Sequence, residues 1–180
     1  VMLPKAESAQ QIVDLRGALA PGMVVIALVE TALGLSRAED IAAQADRLAF
    51  GSIDFAEDLG CAHARLPLLA ARSRLVMAAR LAGRPAPLDG VTVSTDDADL
   101  IADDALHACE MGFGGKLLIH PRQIAPARAG FRPDPDQIDW ARRIVAASGS
   151  GNALAVNGEM VDAPVVARAR RILKRAEVQA

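Results

Sequence analysis

The sequence predicts an α/β protein whose parallel sheet is built from repeated strand–helix units. Short aliphatic runs alternate with longer stretches of helical periodicity, at intervals of roughly 20–30 residues, which is the size of one βα unit. Hydrophobic residues make up 52% of the 180 residues and aromatic residues only 3%, so Ala, Leu, Val and Ile must fill the interior. A chain of this length can bury a core of its own.

The first half of the chain contains three predicted strands. The run at 23–29 is continuously apolar, which is typical of a buried parallel strand. Ser36 and Glu39 have the spacing of a capping box and predict a helix start. In order, we predict a strand at 1–3, a helix at 8–19, a strand at 23–29, a helix from 36, a strand at 47–50, a loop rich in Gly and Asp, and a helix at 67–81.

The second half of the chain continues the alternation of strands and helices, and then ends in two longer helices separated by a hairpin. Gly112 ends one predicted helix, and Asn157-Gly158 predicts a tight hairpin turn. In order, we predict a strand at 88–93, a helix at 96–111, a strand at 116–119, a short helix to 130, a helix at 136–147, a flexible Gly/Ser link at 148–152, a hairpin at 153–161 and a helix at 163–177.

Two sheet architectures fit such an alternation. Five strands are too few to close a (β/α)8 barrel, so a doubly wound open sheet is the structural alternative. That fold normally carries a Gly-rich phosphate turn after its first strand, and here the position reads Pro4-Lys5-Ala6-Glu7-Ser8. The sequence therefore disfavours a dinucleotide-binding fold.

Charge and cysteine content exclude several function classes. The net charge is −2 and no basic stripe dominates, so nucleic acid is not an expected partner; the cations near the C-terminus are interpreted as a solvated helix face. Cys61 and Cys109 lack metal-ligand spacing and are expected to be reduced thiols, as in the cytoplasm. No apolar run approaches the length of a membrane helix, and no membrane association is expected.

Polar residues that follow buried strands are the candidate functional residues, because in a βα barrel such groups stand at the carboxyl ends of strands. Glu30 and Asp54 each follow a predicted strand. Two converging carboxylates without Cys or His form the all-oxygen site that Mg²⁺ prefers. The alternative is that each acid caps a helix or pairs with Arg37 or Arg47. Other polar residues at predicted strand ends are Lys5, Glu7, Thr31, Asp89, His120 and Gln123.

Eight short motifs follow one another along essentially the whole chain. They are Met2-Leu3-Pro4-Lys5-Ala6-Glu7-Ser8, Leu28-Val29-Glu30-Thr31-Ala32-Leu33-Gly34, Phe50-Gly51-Ser52-Ile53-Asp54, Ala71-Arg72-Ser73, Leu88-Asp89-Gly90-Val91, Gly112-Phe113-Gly114-Gly115-Lys116, Ile119-His120-Pro121-Arg122-Gln123-Ile124 and Gly158-Glu159-Met160-Val161-Asp162. Each is weak alone, but together, in order and at compatible spacings, they resemble the citrate lyase beta-subunit-like family of the phosphoenolpyruvate/pyruvate barrel superfamily.

The resemblance implies a (β/α)8 TIM barrel of which the last five βα units are present, in residues 1–132, followed by a C-terminal helical and hairpin lid in 133–180. The family includes citryl-, malyl- and citramalyl-CoA lyases and some malyl-CoA thioesterases. The chain opens on an apolar run, Val1-Met2-Leu3-Pro4, so we expect an upstream segment. The family's Asp-Leu-Glu-Asp stretch and its Arg-x-Asn strand end, whose arginine binds the substrate carboxylate, do not occur in this sequence.

The resemblance also implies roles for individual residues. Glu30 and Asp54 match the family's Mg²⁺ ligands, although Ile53 stands where many members have Glu. Asp162 matches the acid/base residue on a lid that reaches the active site of a neighbouring subunit, which implies a homotrimer with lid exchange. From the sequence alone, Asp162 could equally be a simple helix N-cap.

Two further residues are expected to bind substrate or cofactor. Lys5 stands at a strand end, where it could contact substrate or phosphate. His120 is expected to be held against the loop backbone at the barrel mouth and to help shape the cofactor-binding wall.

The function implied is that of a Mg²⁺-dependent carbon–carbon lyase, which cleaves a 3-hydroxyacyl-CoA thioester to a 2-oxo acid and an acyl-CoA. The alternatives are a malyl-CoA-type thioesterase that uses the same metal site, a pyruvate aldolase that does not use CoA, and a non-catalytic assembly subunit.

Overall fold

The computed structural model describes residues 1–148, 155–156 and 159–178. Its main feature is a parallel sheet in which the strands follow the order β1-β2-β3-β4-β5, so each strand pairs with the next one along the chain. A doubly wound sheet reverses its strand order, and these five strands contain no reversal. The strands are β1 (Met2–Leu3), β2 (Ile26–Val29), β3 (Arg47–Phe50), β4 (Leu88–Asp89) and β5 (Gly115–Lys116).

Helices connect the strands and extend beyond them. They are α1 (Ala9–Ala18), α2 (Ala32–Ser36), α3 (Ala38–Gln44), α4 (Ser52–Leu59), α5 (Leu69–Leu81), α6 (Ala98–Met111), a 3-10 helix (Pro121–Gln123), α7 (Ile124–Phe131), α8 (Pro135–Ser148) and α9 (Ala163–Val178). The strands β6 (Ala155–Val156) and β7 (Glu159–Met160) form an antiparallel pair between α8 and α9. Among the helices in the described ranges, none combines the length and apolar character that crossing a membrane requires.

The core lies between the sheet and its helices, because alternate strand residues point to opposite faces. Ala27 and Val29 of β2 and Leu48 and Phe50 of β3 are fully buried in the main hydrophobic cluster. On β2, the intervening residues Ile26 and Leu28 are only half-buried. The two faces of the sheet therefore differ, and Glu30 continues the alternation on the side of Leu28.

The helices α8 and α9 pack against each other around a separate small cluster. Its buried members are Ala141, Ile144, Ala169 and Ile172. The Arg168 guanidinium also lies 5.0 Å from the centre of the Trp140 ring. In addition, Arg175 of α9 donates a hydrogen bond to the Cys109 thiol of α6.

Several sequence predictions are confirmed at the level of single residues. The third strand, β3, has the predicted limits. Gly112 ends α6 in the left-handed conformation, as predicted, and α1 begins at Ala9, one residue after its predicted start. The hairpin strands β6 and β7 are present. Of the link predicted at 148–152, Ser148 is instead the last residue of α8, while 149–152 and the turn at 157–158 lie outside the described residues.

Other predictions are wrong. Ser36 is the last residue of α2, and its hydroxyl donates to Leu33 O, so Ser36 and Glu39 form no capping box. Thr31 caps α2 instead, since its Oγ1 accepts from Gly34 N. The segment predicted as a Gly- and Asp-rich loop after β3 begins with α4. The strands predicted at 88–93 and 116–119 are shorter than expected, since β4 covers only Leu88–Asp89 and β5 only Gly115–Lys116.

Candidate metal centre at the carboxyl ends of the strands

Glu30 is a buried carboxylate at the carboxyl end of β2. It is 5% exposed, and its Oε1 accepts a 2.7 Å hydrogen bond from Lys5 N at the end of β1. Lys5 adopts φ = 46°, a left-handed conformation that is uncommon for residues other than glycine. Backbone strain of this kind persists only where the surrounding structure enforces it. The turn after β1 therefore presents its N–H group to one oxygen of Glu30.

Gly51 makes room for the other oxygen of Glu30. A Cβ at Gly51 would lie 2.4 Å from Glu30 Cβ and 2.6 Å from Glu30 Oε2, closer than real contacts allow. Gly51 is also the N-cap of α4 and makes no side-chain capping bond. Asp54 is exposed and lies in the first turn of α4, three residues after Gly51 and on the same side of the helix. The fold thus brings both predicted metal ligands to adjacent strand ends.

The alternative contacts predicted for these acids do not form. Arg37 Nη1 donates to Glu7 O (3.1 Å), and Arg47 Nε donates to Ala86 O (2.7 Å). Within the described ranges, neither Glu30 nor Asp54 pairs with an arginine, and neither is an N-cap. Arginine pairing and helix capping therefore do not explain the position of these two carboxylates.

The donor set fits a hard divalent cation. Glu30 Oε2 has no hydrogen-bond donor among the residues that the structure describes, and it is not one of their fully buried unpaired atoms, so it remains accessible to an ion. In the same part of the chain, no group of three or more His, Cys, Asp or Glu side chains could hold a metal. Mg²⁺ is commonly bound by one or two carboxylates, while water and substrate oxygens fill its remaining coordination positions.

The neighbouring loop residues are tied to each other. Thr31 Oγ1 donates to Glu7 Oε1 (2.8 Å), which joins the turn after β1 to the start of α2. The Lys5 side chain is exposed, and its ammonium forms no ion pair or hydrogen bond within residues 1–148, 155–156 and 159–178. Its contact with the candidate site is thus through the backbone, and its charge remains available to an anion.

His120 caps the 3-10 helix that follows β5. Its Nδ1 accepts from Arg122 N (3.1 Å), so the ring is held against the loop backbone as expected. Gln123 is fully buried, and its side chain makes four hydrogen bonds. Its Nε2 donates to Thr92 O and Ser94 O, and its Oε1 accepts from Ile119 N and His120 N. Sequence reasoning noted Gln123 only as a strand-end residue and missed that it joins two loops.

A buried charge cluster lies on the helix side of the sheet. Arg72 Nε donates to Asp89 Oδ1 (2.9 Å), and Lys116 Nζ lies 3.8 Å from Asp89 Oδ2 while donating to Gly90 O (2.6 Å). Burial lowers the pKa of Lys116, while Asp89 and Asp104 oppose that shift. Asp89, a strand-end candidate from the sequence, therefore belongs to an internal ion pair.

Asp162 lies apart from these residues in the sequence, at the start of α9. It is exposed, and its Oδ1 accepts from Val165 N (3.0 Å), so within this chain it caps the helix. The structure describes one chain, and the predicted contact with a neighbouring subunit stays a prediction.

A parallel α/β fold with a buried and an exposed carboxylate at adjacent strand ends defines the class: an α/β protein with a candidate hard-cation site. The chain belongs to the HpcH/HpaI aldolase/citrate lyase family, which matches residues 1–121. The family recognised in the sequence motifs is thereby confirmed.

Individual relatives agree with this assignment. The chain is 40% identical to the citrate lyase subunit beta-like protein of Mycobacterium tuberculosis, over 98% of this chain and 66% of the relative. It is 34% identical to citrate lyase subunit beta of Escherichia coli, over 99% of this chain and 65% of the relative. The chain thus spans slightly less than two thirds of the length of these curated relatives.

A solved structure shows the same fold. It is the protein CitE from Mycobacterium tuberculosis in complex with magnesium, acetoacetate and coenzyme A, with a TM-score of 0.86 and 38% identity. The superposition covers 98% of this chain and 68% of that protein. The mixed α/β fold with a parallel sheet is therefore shared with citrate lyase beta structures.

Proposed function

We propose that this chain forms part of a Mg²⁺-dependent carbon–carbon lyase, which cleaves a 3-hydroxyacyl-CoA thioester to a 2-oxo acid and an acyl-CoA. The observation that carries the proposal is the buried Glu30 carboxylate, which has one oxygen bound by Lys5 N and the other without a protein donor in the described residues. The similarity to citrate lyase subunit beta and to a structure containing magnesium, acetoacetate and coenzyme A supports the same chemistry.

The proposed architecture is a TIM barrel to which residues 1–132 contribute five consecutive βα units, with residues 133–180 as a lid. The uninterrupted strand order supports this, because consecutive strands are neighbours in such a barrel. The separate core of α8 and α9 supports the division into two parts. The cytoplasm is the proposed location.

Glu30 and Asp54 would hold the Mg²⁺ ion. Bound there, the ion would supply Lewis-acid stabilisation for the substrate's hydroxyl oxygen, which becomes negatively charged as its proton passes to solvent, before the carbon–carbon bond breaks. The protein contributes a fixed carboxylate at Glu30, because the Lys5 amide and the close approach of Gly51 leave that side chain little freedom.

Other residues bind the substrate and transfer the proton. The exposed ammonium of Lys5 binds a carboxylate or phosphate of the substrate, and His120 helps to form the wall of the CoA site. Asp162 of a second subunit protonates the α-carbon of the acyl-CoA enolate, or removes that proton in the synthetic direction. Its Oδ2 has no partner within the described ranges, which leaves one carboxylate oxygen for this role. The proposed assembly is a homotrimer with lids exchanged between subunits.

The test is Mg²⁺ binding by the purified protein, measured by isothermal titration calorimetry. Asp54→Ala is expected to abolish binding and turnover without loss of the folded structure, because it removes a metal ligand. Glu57→Gln is the matched control, since Glu57 is an exposed acid on the same helix, and its affinity should equal that of the wild type. Retained affinity in Asp54→Ala would overturn the metal assignment.

The proposed proton transfer by Asp162 is tested by hydrogen exchange at the acyl-CoA α-carbon. The Asp162→Asn variant should bind Mg²⁺ normally but should no longer catalyse this exchange.

Product analysis separates the lyase from the thioesterase. Release of a hydroxy acid with its carbon skeleton intact would assign the hydrolytic reaction instead.

A further inference from the structure

The first turn of α4 is held by a hydrogen bond from a distant side chain and not by a capping residue. Its N-cap, Gly51, provides no side-chain acceptor, although exposed helix amides are normally capped. Ser52, the first residue of the helix, is 1% exposed. Its Oγ lies 2.9 Å from His63 Nε2 and shares a hydrogen bond with that ring nitrogen. A side chain from the loop after α4 therefore contacts the beginning of the same helix.

Packing on both sides leaves this turn no free space. On one side Gly51 contacts Glu30, as described above. On the other side a Cβ at Gly90 would lie 1.9 Å from Ser52 Oγ and 2.4 Å from Ser52 Cβ. The turn is thus confined between the ends of β2 and β4. Because the Ser52 hydroxyl is buried there, loss of its hydrogen-bond partner would leave an unpaired polar group.

The position of His63 follows from the end of α4. Gly60 ends the helix in the left-handed conformation, with φ = 69°, and the chain returns toward the helix start. Burial lowers the pKa of His63, and Arg72 and Lys116 lower it further, whereas Asp104 and Asp89 act in the opposite direction. A neutral imidazole has one donor and one acceptor nitrogen, so it can pair with a hydroxyl in either tautomer.

We propose that His63 is a positioning residue for the metal centre: through Ser52 it fixes the first turn of α4, and hence the placement of Asp54 relative to Glu30. The inference rests on the proposed function, in which Glu30 and Asp54 hold Mg²⁺. Neither Ser52 nor His63 is assigned as a metal ligand, and their proposed effect is on the geometry of the carboxylate pair.

The experiment measures Mg²⁺ affinity in matched variants. His63→Ala and Ser52→Ala should each weaken binding about tenfold, the size typical of groups that orient metal ligands. The double variant should be no weaker than either single variant, because both remove the same hydrogen bond. His63→Gln should recover most of the affinity, since its amide can still pair with the hydroxyl. His107→Gln is the control, because His107 has no hydrogen bond to Ser52.

A second readout does not depend on metal. Phe55 N donates to Gly51 O (2.9 Å), the first backbone bond of α4, and its hydrogen exchange in the apo protein should accelerate in both single variants. If the wild type binds no Mg²⁺, the proposed function fails and this inference fails with it. If the wild type binds and Asp54→Ala does not, unchanged affinity and exchange in His63→Ala would overturn the positioning role alone. An equal loss in His107→Gln would also overturn it.

Discussion

The sheet region, residues 1–131, and the α8–α9 pair hold their candidate functional acids in opposite ways. Glu30 is buried and bound by a backbone amide, whereas Asp162 is exposed and caps a surface helix. The sheet region has an extensive core, and the α8–α9 pair has four buried residues of its own. The difference shows that Glu30, a proposed metal ligand, is fixed by the core around it, whereas the acid proposed to serve a second subunit lies on an element with a separate, smaller core.

The largest expected effect is in the sheet core. Phe50 is fully buried, its ring centre lies 5.4 Å from that of Phe55, and the Arg72 guanidinium lies over it at 5.6 Å. Phe50→Ala should lower the free energy of unfolding by about 3–5 kcal/mol, because it removes a buried ring and leaves a cavity. Urea unfolding followed by circular dichroism measures this, with exposed Leu66→Ala as the unaffected control. A loss below about 1 kcal/mol would show that Phe50 is not central to the core.

A smaller and local effect is expected in the α8–α9 pair. Ile144 is fully buried between the two helices, and Ile144→Ala should cost about 2–3 kcal/mol of local stability. Hydrogen exchange should then accelerate in α8 and α9 while the sheet keeps its protection. Arg143→Ala, an exposed change on the same helix, is the control. Equal acceleration in the sheet would mean that the two regions unfold as one unit.

The smallest effect concerns the end of the sheet opposite to the candidate metal centre. The Asp46 carboxylate accepts a hydrogen bond from Val25 N and forms an ion pair with Arg16. Both contacts hold the pKa of Asp46 below its ordinary value. A lowered carboxylate pKa adds stability above the ordinary value of 3.8, and this stability is lost as the pH falls through the folded-state pKa. Asp46→Ala should therefore cost about 1 kcal/mol at neutral pH and nothing in strong acid.

Urea unfolding at several pH values checks this prediction. Exposed Glu57→Ala is the control, and Mg²⁺ affinity should be unchanged in Asp46→Ala because the two ends of the sheet are separate. A stability difference that persists at low pH would show that the carboxylate charge is not its cause.

The fold was largely predictable where hydrophobic runs and capping residues act locally. The short segment 47–50, apolar after its first residue Arg47, marks β3 at its observed limits, and Gly112 marks the end of α6. The helix α4 was not predictable, because it starts without a capping side chain and its first residues resemble a loop. The strand predicted at 88–93 is short because Thr92 O and Ser94 O bind Gln123 instead of a neighbouring strand.

The candidate site was predictable only in part. Strand-end position places Glu30 and Asp54 among several candidates, and only the resemblance to the family gives these two the role of metal ligands. The contact from Lys5 N depends on a left-handed backbone, and no side-chain pattern reports such a conformation. The pairing of Arg72 with Asp89 joins residues distant in sequence, and their spacing carries no periodic signal.

Gln123 has a mechanical consequence. One amide group binds the segment after β4 and the segment after β5 at the same time, through direct hydrogen bonds to both. We therefore expect a displacement of Ser94 to shift Ile119 as well. A ligand that binds at either segment should thus change the position of the other.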